Sequence, residues 1–455
     1  MVLSSINPGT GELIKEFEEW SIKKVDSQLN HSFKIYNEWQ ETSFSNRSDI
    51  LKNMARILRK NKDKYAQLMT TEMGKTIVES EAEVEKCAWV CEFYAENGEK
   101  FLSNEIIKTD ASKSYVCFEP LGIILAIMPW NFPFWQVIRC AVPALFSGNA
   151  VVLKHSSNVP QCALTLEDIF LKSGFPEDLF KTILIGSKQT EKIIKNSRIA
   201  AVSLTGSTIA GKKVAQTAGS LIKKSVLELG GNDPFIVLDD ADLEYTVDMA
   251  VKARMVNNGQ SCIAAKRFIV SDEIYKDFLE LFIKRVEKLN VGNPLKKDTN
   301  IGPLARYDIL EQLETQVVNS IKIGAIIETG GKRLENTSGF FYIPTILSNI
   351  SEKMPLYKEE TFGPVASVIK VKNEKEAIKI ANDTKYGLGA SIWTSDIKKG
   401  EELTKKIHAG SVFVNEIVKS DPRLPFGGIK ESGIGRELSH YSIKEFVNIK
   451  TIYIK

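Results

Sequence analysis

The sequence predicts an α/β protein built from a doubly wound parallel-sheet unit, a second α/β unit and a small separate β element. The chain has 455 residues, more than one hydrophobic core usually supports, so we expect two or three domains. Between about residues 122 and 415, short apolar runs alternate with helical segments, as in parallel sheets that are covered by helices. Residues 113–119 and 446–454 instead alternate apolar and polar side chains, which predicts strands with one open face.

Composition and charge exclude several classes of protein. Hydrophobic residues make up 43% of the chain and charged residues 26%, as in ordinary soluble globular proteins. The formal net charge is only +3, which argues against a nucleic-acid partner. The longest apolar run, residues 121–130, is too short to span a bilayer, and the N-terminus lacks a signal-like pattern. We therefore expect a cytoplasmic protein without a membrane partner.

The cysteines and histidines do not indicate a metal site. Six cysteines and four histidines are scattered along the chain, and there is no C-x-x-C pair. Cys87 and Cys91 are four residues apart and so share one helical face, but no later Cys or His pair completes a zinc site. The sequence predicts reduced thiols and no bound metal.

The N-terminal third is expected to pass from a hairpin through helices to a buried strand. Residues 7–11 are dense in turn formers between short apolar segments, which predicts a β-hairpin in residues 1–20. From about 25 to 104, apolar residues recur at helical spacing. The apolar run 122–128 predicts a strand buried on both faces. Two prolines end this strand and leave Asn131 on a loop at its carboxyl end.

The same unit is predicted to continue with strands at residues 150–153, 182–185 and 200–204, each followed by a loop and a helix. Ligands of doubly wound sheets lie beyond the carboxyl ends of the strands. Asn131, Lys154, Gly186 and Gly206 all fall there, so position predicts a cofactor site. The G-S-T-x-x-G segment that begins at Gly206 is only loosely similar to the dinucleotide-binding fingerprint.

A second α/β unit, predicted from residue 234 to 415, carries a reactive-looking cysteine. Cys262 lies in V-N-N-G-Q-S-C-I-A-A-K-R, after a turn-forming glycine and before a strand. A lone cysteine is usually a small buried hydrophobic residue, but a thiol on such a loop can react. Glu228 ends an apolar run, as a base at a strand end would. With Asn131 these residues make chemical sense, because a thiolate attacks a carbonyl, a carboxylate activates water and an amide steadies an oxyanion.

Seven motifs give the chain a family resemblance over essentially its whole length. They are P-W-N-F-P (129–133), L-K-H-S (153–156), T-G-S-T (205–208), L-E-L-G-G (227–231), G-Q-S-C (259–262), E-E-T-F-G-P-V (359–365) and P-F-G-G (425–428). In this order they resemble the aldehyde dehydrogenase superfamily. The resemblance implies that family's fold, with residues 1–112 and 127–230 as the cofactor-binding domain, 231–415 as the catalytic domain, and 113–126 and 430–455 as bridging strands for oligomerisation.

The resemblance also implies roles for individual residues. Cys262 would form a thiohemiacetal with the aldehyde and then a thioester, which water activated by Glu228 would hydrolyse. The Asn131 amide and the Cys262 backbone N–H would form the oxyanion hole. Lys154 would bind the adenosine ribose and Glu360 the nicotinamide ribose. The implied cofactor-binding set is Met128, Pro129, Trp130, Lys154, Ser157, Gly186, Thr205, Gly206, Ser207 at the pyrophosphate, Leu229, Gly230, Glu360 and Phe362 near the nicotinamide.

One departure from the family pattern bears on the choice of cofactor. Many NAD-preferring relatives carry a glutamate three residues after the lysine, where this chain has Ser157. A carboxylate would repel the 2′-phosphate of NADP, whereas a serine can donate a hydrogen bond to it. We therefore expect NADP as the preferred cofactor, with NAD as the alternative.

The segment W-N-F-P-F-W-Q-V-I-R-C resembles the succinate-semialdehyde dehydrogenase branch, including its short bacterial and cyanobacterial members. In that branch an arginine at the position of Arg139 grips the far carboxylate of the substrate. Ser420 matches a serine that assists it, and Trp135 would line the channel. About two helical turns separate Arg139 from Asn131, which would place the guanidinium along the oxyanion channel. The expected substrate is succinate semialdehyde or a similar short aldehyde with a carboxylate.

Three alternatives stay open at this point. The first is a broad aliphatic or aromatic aldehyde dehydrogenase in which Arg139 stays solvated. The second is a non-phosphorylating glyceraldehyde-3-phosphate dehydrogenase, because arginine also grips phosphate. The third is a catalytically silent relative, which the intact set of Cys262, Glu228 and Asn131 disfavours. Because the superfamily works as dimers or tetramers, the resemblance also implies a homo-oligomer.

Overall fold

The structure, a computed structural model, describes residues 2–455 and begins with a hairpin and a helical region. The hairpin pairs β1 (Val2–Ile6) with β2 (Leu13–Glu18), as predicted. Four helices follow: α1 (Ile22–Trp39), α2 (Phe44–Lys60), α3 (Lys62–Met73) and α4 (Ile77–Leu102). Hydroxyls of Ser21, Ser43 and Thr76 accept backbone N–H groups at the starts of α1, α2 and α4, which fixes where these helices begin.

A doubly wound unit follows two further strands, as the alternation of apolar runs and helices predicts. Its central strands β9-β8-β5-β6-β7 are parallel in that order. The elements in chain order are β3 (Glu105–Ile106), β4 (Lys113–Pro120), β5 (Ile123–Met128), α5 (Trp135–Phe146), β6 (Ala150–His155), α6 (Pro160–Ser173), β7 (Phe180–Thr182), α7 (Ser187–Ile194), β8 (Ile199–Thr205), α8 (Thr208–Gly219) and β9 (Lys224–Glu228).

The second α/β unit is a seven-stranded sheet in the order β12-β13-β14-β11-β10-β15-β16. Only β12 and β13 pair antiparallel. In chain order the elements are β10 (Pro234–Val237), α9 (Leu243–Met255), a 3₁₀ turn (Val256–Gly259), β11 (Arg267–Ser271), α10 (Tyr275–Val286), α11 (Tyr307–Lys322), β12 (Ile326–Thr329), β13 (Thr345–Ser348), α12 (Pro355–Lys358), β14 (Val365–Val371), α13 (Glu374–Asn382), β15 (Gly389–Trp393), α14 (Ile397–Thr404) and β16 (Ser411–Val414).

The C-terminal segment returns to the first unit. A 3₁₀ turn (Lys430–Ser432), β17 (Gly433–Ile434), α15 (Ser439–Glu445) and β18 (Val447–Ile454) complete the chain. Strand β18 pairs antiparallel with β4 along its whole length, from Val447 opposite Pro120 to Ile454 opposite Lys113, and β3 pairs with the other edge of β4. The predicted small sheet between residues 113–119 and the C-terminal tail is therefore confirmed.

Three sequence-predicted boundaries differ from the structure. The bridging segment 113–126 ends earlier, because the fully buried run Ile123–Met128 is a central strand of the doubly wound sheet. The segment 430–455 is not all bridging, since β17 adds to the same sheet beside β9. The strand predicted at 182–185 lies about two residues too late, because β7 spans Phe180–Thr182. The division into cofactor-binding and catalytic domains remains a prediction.

The seven-stranded sheet buries apolar side chains on both faces, as its continuous apolar runs predict. Phe235, Phe268 and Trp393 pack on one face, and Ile236 and Ile269 pack on the other. The doubly wound sheet shares a larger core with the N-terminal helices. Within residues 2–455, no helix is both long and apolar enough to cross a membrane.

Candidate active site

A cavity of about 400 Å³ lies where the carboxyl ends of β5, β8 and β9 meet loops of the second unit. Its volume suits a small-molecule ligand. The three predicted catalytic residues, Asn131, Glu228 and Cys262, all line it. Nine of the predicted cofactor residues also line it: Pro129, Trp130, Thr205, Gly206, Ser207, Leu229, Gly230, Glu360 and Phe362.

Four other predicted cofactor residues lie along the same edge of the doubly wound sheet but do not line this cavity. Met128 and Lys154 are buried at the ends of β5 and β6, and Ser157 is exposed in the turn that follows β6. Gly186 precedes α7. Burial lowers the pKa of the Lys154 ammonium, and the nearby Glu19 carboxylate partly opposes this. The carboxyl end of β6 therefore carries a cation, Lys154, and a hydroxyl, Ser157, close together in the chain.

The side chain of Asn258 holds in place the loop that carries Cys262. Its amide donates hydrogen bonds to the carbonyls of Gly74 and Pro303, each at 3.0 Å, and its oxygen accepts from the N–H of Gly302 at 2.8 Å. Asn257 and Asn258 both adopt left-handed backbone conformations, with φ of 55° and 56°, which asparagine tolerates better than most residues. The sequence V-N-N-G-Q is therefore a scaffold for the loop.

Gly259 lets this loop contact the E-E-T-F-G-P-V motif at backbone distance. Its φ is +74°, and a Cβ there would lie 2.2 Å from the carbonyl oxygen of Gly363. The N–H of Gly363 donates to the carbonyl of Gly259 at 3.1 Å. The predicted turn at Gly259 is confirmed, and it brings two of the sequence motifs together.

The Cys262 thiol is half-buried in the cavity and is a poor nucleophile by default. Burial raises the pKa of the thiol to about 12, against the lowering effect of the charges of Lys266 and Arg139. Because the thiolate is the reactive form, the thiol must lose its proton before the sulfur can attack a carbonyl.

Glu228 ends β9 and is only 3% exposed, yet neither of its carboxyl oxygens has a hydrogen-bond partner within residues 2–455. Burial, and then the charge of Glu437, raises its pKa well above the usual range. A Cβ at Gly427 would lie 2.6 Å from Glu228 Oε1, so the P-F-G-G motif makes room for this carboxyl. An unpartnered buried carboxyl at a cavity wall is free to bind a water or take up a proton.

Asn131 presents its side-chain amide at the cavity. The amide nitrogen donates to the carbonyl of Gln260 at 3.1 Å, and Asn257 donates to the carbonyl of Asn131 at 2.7 Å. A side-chain amide carries two hydrogens, so one is left for another acceptor. The contact with Gln260 ties Asn131 to the loop that carries Cys262, which suits an oxyanion-binding pair.

Two features support the fit of a dinucleotide in the cavity. The N–H of Gly231 donates to Glu360 at 3.1 Å, and a Cβ at Gly230 would lie 2.4 Å from the other carboxylate oxygen. The first turn of α8 opens on the cavity, where the buried hydroxyl of Thr208 has no partner within residues 2–455. A helix N-terminus favours a phosphate group. Ser207 itself caps α8 by accepting from the N–H of Ala210 at 3.3 Å.

The family model for the aldehyde dehydrogenase family matches residues 2–452. The chain belongs to the aldehyde dehydrogenase family. It is 49% identical over the full length of both chains to a probable succinate-semialdehyde dehydrogenase [NADP(+)] of Synechocystis. It is 48% identical, again over both full lengths, to succinate-semialdehyde dehydrogenase [NADP(+)] 1 of Mycobacterium tuberculosis. A crystal structure of succinic semialdehyde dehydrogenase from Streptococcus pyogenes with NADP+ superposes with a TM-score of 0.97, at 37% identity over 99% of each chain.

The family assignment, the α/β aldehyde dehydrogenase fold and the enzyme class predicted from the motifs are therefore confirmed. In this aldehyde dehydrogenase six of the seven motifs converge, because each supplies a loop at the cavity or the glycine that lets a neighbour approach it, while L-K-H-S lies along the same edge of the doubly wound sheet. The roles of the individual site residues remain predictions.

The sequence suggested that the Arg139 guanidinium lies along the channel, but the structure buries it. Its guanidinium is 2% exposed and forms an ion pair with the equally buried Glu437. It also donates to the Thr205 hydroxyl at 3.4 Å and stacks on the ring of Phe426 at 4.9 Å. The helical spacing indicates which face of α5 carries this side chain, but it does not show that the ion pair with Glu437 holds the guanidinium in the protein interior. Its part in binding substrate remains a prediction.

Sequence reasoning missed two lysines, one beside Cys262 and one on α4. Lys266 is fully buried and donates to the carbonyls of Ser261 and Cys262, at 3.0 and 2.5 Å. Its position at the start of a fully buried strand could have indicated this, because an isolated lysine there needs acceptors. Lys86 donates to the hydroxyl of Ser420 at 2.7 Å. It sits in an ordinary amphipathic helix, so no local pattern indicates its role.

Within residues 2–455, no group of three or more His, Cys, Asp or Glu side chains is arranged to hold a metal ion. All six cysteines are free thiols.

Proposed function

We propose that the chain catalyses the NAD(P)-dependent oxidation of succinate semialdehyde, or of a similar short aldehyde with a carboxylate, to the corresponding acid. The observation that carries the proposal is the presence of Cys262, Glu228 and Asn131 in the lining of one cavity in a member of the aldehyde dehydrogenase family. The full-length relatives named succinate-semialdehyde dehydrogenase [NADP(+)] support the choice of substrate and cofactor.

In the proposed mechanism the Cys262 thiol gives up its proton to solvent water, and the sulfur then attacks the aldehyde carbon to form a thiohemiacetal. The amide of Asn131 and the N–H of Cys262 donate hydrogen bonds to the oxyanion that develops. A nicotinamide cofactor held by Glu360 and Phe362 would supply the hydride acceptor, and loss of hydride from the thiohemiacetal carbon would leave a thioester on Cys262. Glu228 then removes a proton from water, the resulting hydroxide attacks the thioester, and the acid leaves with the thiol restored.

The aldehyde specificity is tested by initial rates with succinate semialdehyde, hexanal and glyceraldehyde 3-phosphate, each with NADP and with NAD. We expect the highest kcat/KM with succinate semialdehyde and NADP, because kcat/KM reports differential binding of the transition state. A higher value with hexanal would favour a broad-specificity enzyme. A higher value with glyceraldehyde 3-phosphate would favour a phosphate-binding relative instead, and either result would overturn the proposal.

NADP preference is proposed to depend on Ser157, which is exposed in the turn after β6. Ser157→Glu would place a carboxylate where the 2′-phosphate binds. We expect the ratio of kcat/KM for NADP to that for NAD to fall by about tenfold or more, since repulsion of about 1.4 kcal/mol corresponds to a factor of ten. Ser220→Glu, at another exposed serine, is the matched control. An unchanged ratio in Ser157→Glu would refute this explanation of cofactor choice.

We also propose that the enzyme is a cytoplasmic homo-oligomer. The three-stranded sheet of β18, β4 and β3 leaves large apolar side chains exposed, including Ile106, Ile449 and Tyr453. Such a surface favours pairing with a second copy of the chain. Six unpaired cysteines favour a reducing compartment.

A further inference from the structure

A cluster of side chains at the start of α5 contains one cation without a carboxylate partner. Lys86, on α4, donates to the Ser420 hydroxyl at 2.7 Å, and its ammonium lies 4.5 Å from the centre of the Trp135 ring. Trp135 and Ser420 are both buried, while Lys86 is half-exposed. Lys86 is therefore the member of this cluster that is not fully buried.

The anions around Lys86 are already engaged with other groups. Glu83 pairs with Lys75 and accepts the N–H groups of Phe134 and Trp135, each at 2.9 Å. Asp421 pairs with Arg423 at 2.7 Å. Within residues 2–455, no carboxylate forms an ion pair with Lys86. A half-buried ammonium without a counter-ion favours an anionic ligand.

Arg139, the other cation of this cluster, is neutralised by its ion pair with Glu437. The Trp135 ring beside the Lys86 ammonium belongs to the first residue of α5, and the next residue, Gln136, lines the cavity that contains Cys262. An anion held at Lys86 is thus held beside the start of α5, next to this cavity. A short aldehyde with a carboxylate at its far end matches this arrangement.

We propose that Lys86 binds the distal carboxylate of the aldehyde and is a specificity-determining residue. Ser420 accepts a hydrogen bond from Lys86 and keeps its own hydroxyl hydrogen to donate to the same carboxylate. Trp135 forms an apolar wall beside the ammonium. The inference rests on the proposed function, because it assumes that the substrate carries a carboxylate.

The test compares succinate semialdehyde with butanal, which has the same chain length and no carboxylate. In Lys86→Met we expect the KM for succinate semialdehyde to rise about tenfold or more, the effect of losing a charge-assisted hydrogen bond. The KM for butanal and the kcat for both aldehydes should change less than about twofold, since butanal makes no use of the ammonium. Lys86→Arg should keep most of the preference. Lys100→Met, at an exposed lysine in the same helix, should behave like the wild type.

The pH dependence of KM in the wild-type enzyme is a second test of the role of Lys86, and it does not depend on the folding of any variant. Burial, and next the charge of Arg139, lowers the pKa of Lys86 to about 8, against the raising effects of Cys87, Glu83 and Asp421. Lys86 loses its charge as the pH rises through this value. The KM for succinate semialdehyde should therefore increase above about pH 8 in the wild type, more than the KM for butanal, and the increase should disappear in Lys86→Arg.

The outcomes separate this inference from the proposed function. If the wild type does not prefer succinate semialdehyde over butanal, the proposed function fails and the role of Lys86 fails with it. If the wild type shows the preference and Lys86→Met keeps it, or if both KM values rise together, only the role of Lys86 is overturned.

Discussion

Cys262 combines a half-buried position with a thiol whose pKa burial raises to about 12. We expect Cys262→Ala to abolish dehydrogenase activity, because the alanine has no group to attack the aldehyde. NADP binding, followed by fluorescence quenching, should persist, since most of the cavity wall is unchanged. Cys117→Ala, at another thiol that is not buried, should retain full activity. Turnover by Cys262→Ala would refute the covalent mechanism.

Glu228 lines the same cavity as Cys262, and its carboxyl has no hydrogen-bond partner within residues 2–455. In Glu228→Gln the thioester should still form, but its hydrolysis should slow by about 100-fold or more, the usual contribution of a general base. Stopped-flow absorbance at the first turnover should show a burst of reduced cofactor and then slow turnover. Loss of the burst itself would mean that Glu228 acts before the thioester forms.

The same carboxyl predicts how the hydrolytic step depends on pH. Burial and the charge of Glu437 raise the pKa of Glu228 well above its usual range, and only the ionised carboxylate can accept a proton from water. Thioester hydrolysis should therefore accelerate as the pH rises through the raised pKa. Glu228→Gln should lose this dependence. A hydrolytic rate that falls over the same range in the wild type would contradict the assignment.

Backbone contacts hold the loop of residues 256–262 against its neighbours. Gly259→Ala would place a Cβ 2.2 Å from the Gly363 carbonyl at a φ of +74°. We expect kcat/KM to fall by about 100-fold, as for a displacement of about 1 Å at a reacting group. Gly219→Ala, where nothing lies within 4 Å of the added Cβ, should keep wild-type activity. Equal activity of the two variants would show that the loop is not positioned by this contact.

Sequence patterns predicted most of the strands, because a buried parallel strand needs a continuous apolar run and its neighbours need helices between them. The run Ile123–Met128 and the strand at residues 234–238 were found in this way. β17 could not be predicted, because it is only two residues long and depends on the contact between Gly433 and β9. β7 was displaced, because Ile183 and Ile185 are buried without lying in the strand.

The site brings together side chains that are far apart in the sequence. Asn131, Glu228 and Cys262 could be predicted because each occupies a motif. The contacts of Glu437 and Lys86 could not be predicted, because local sequence patterns do not show which distant group a charged side chain contacts. Arg139 shows the same limit, since its place on α5 followed from spacing but its ion pair with Glu437 did not.

The sheet of β18, β4 and β3 should control assembly of the molecule. Ile449 in β18 is 61% exposed, so Ile449→Lys should leave the folded chain stable but disrupt an apolar contact with a second copy. We expect a lower mass in light scattering after gel filtration. Ile397→Lys, at a 59% exposed isoleucine of α14, should leave the mass unchanged. An unchanged mass in Ile449→Lys would place the oligomer interface elsewhere.

The covalent intermediate offers the most direct test of the proposed enzyme. Wild type and Glu228→Gln would be mixed with succinate semialdehyde and NADP, quenched in acid after the first turnover, digested and analysed by mass spectrometry. We expect a succinyl group on the peptide that contains Cys262, in a larger fraction of the Glu228→Gln protein than of the wild type. A succinyl group on another residue, or none on Glu228→Gln after reduced cofactor has formed, would contradict the account.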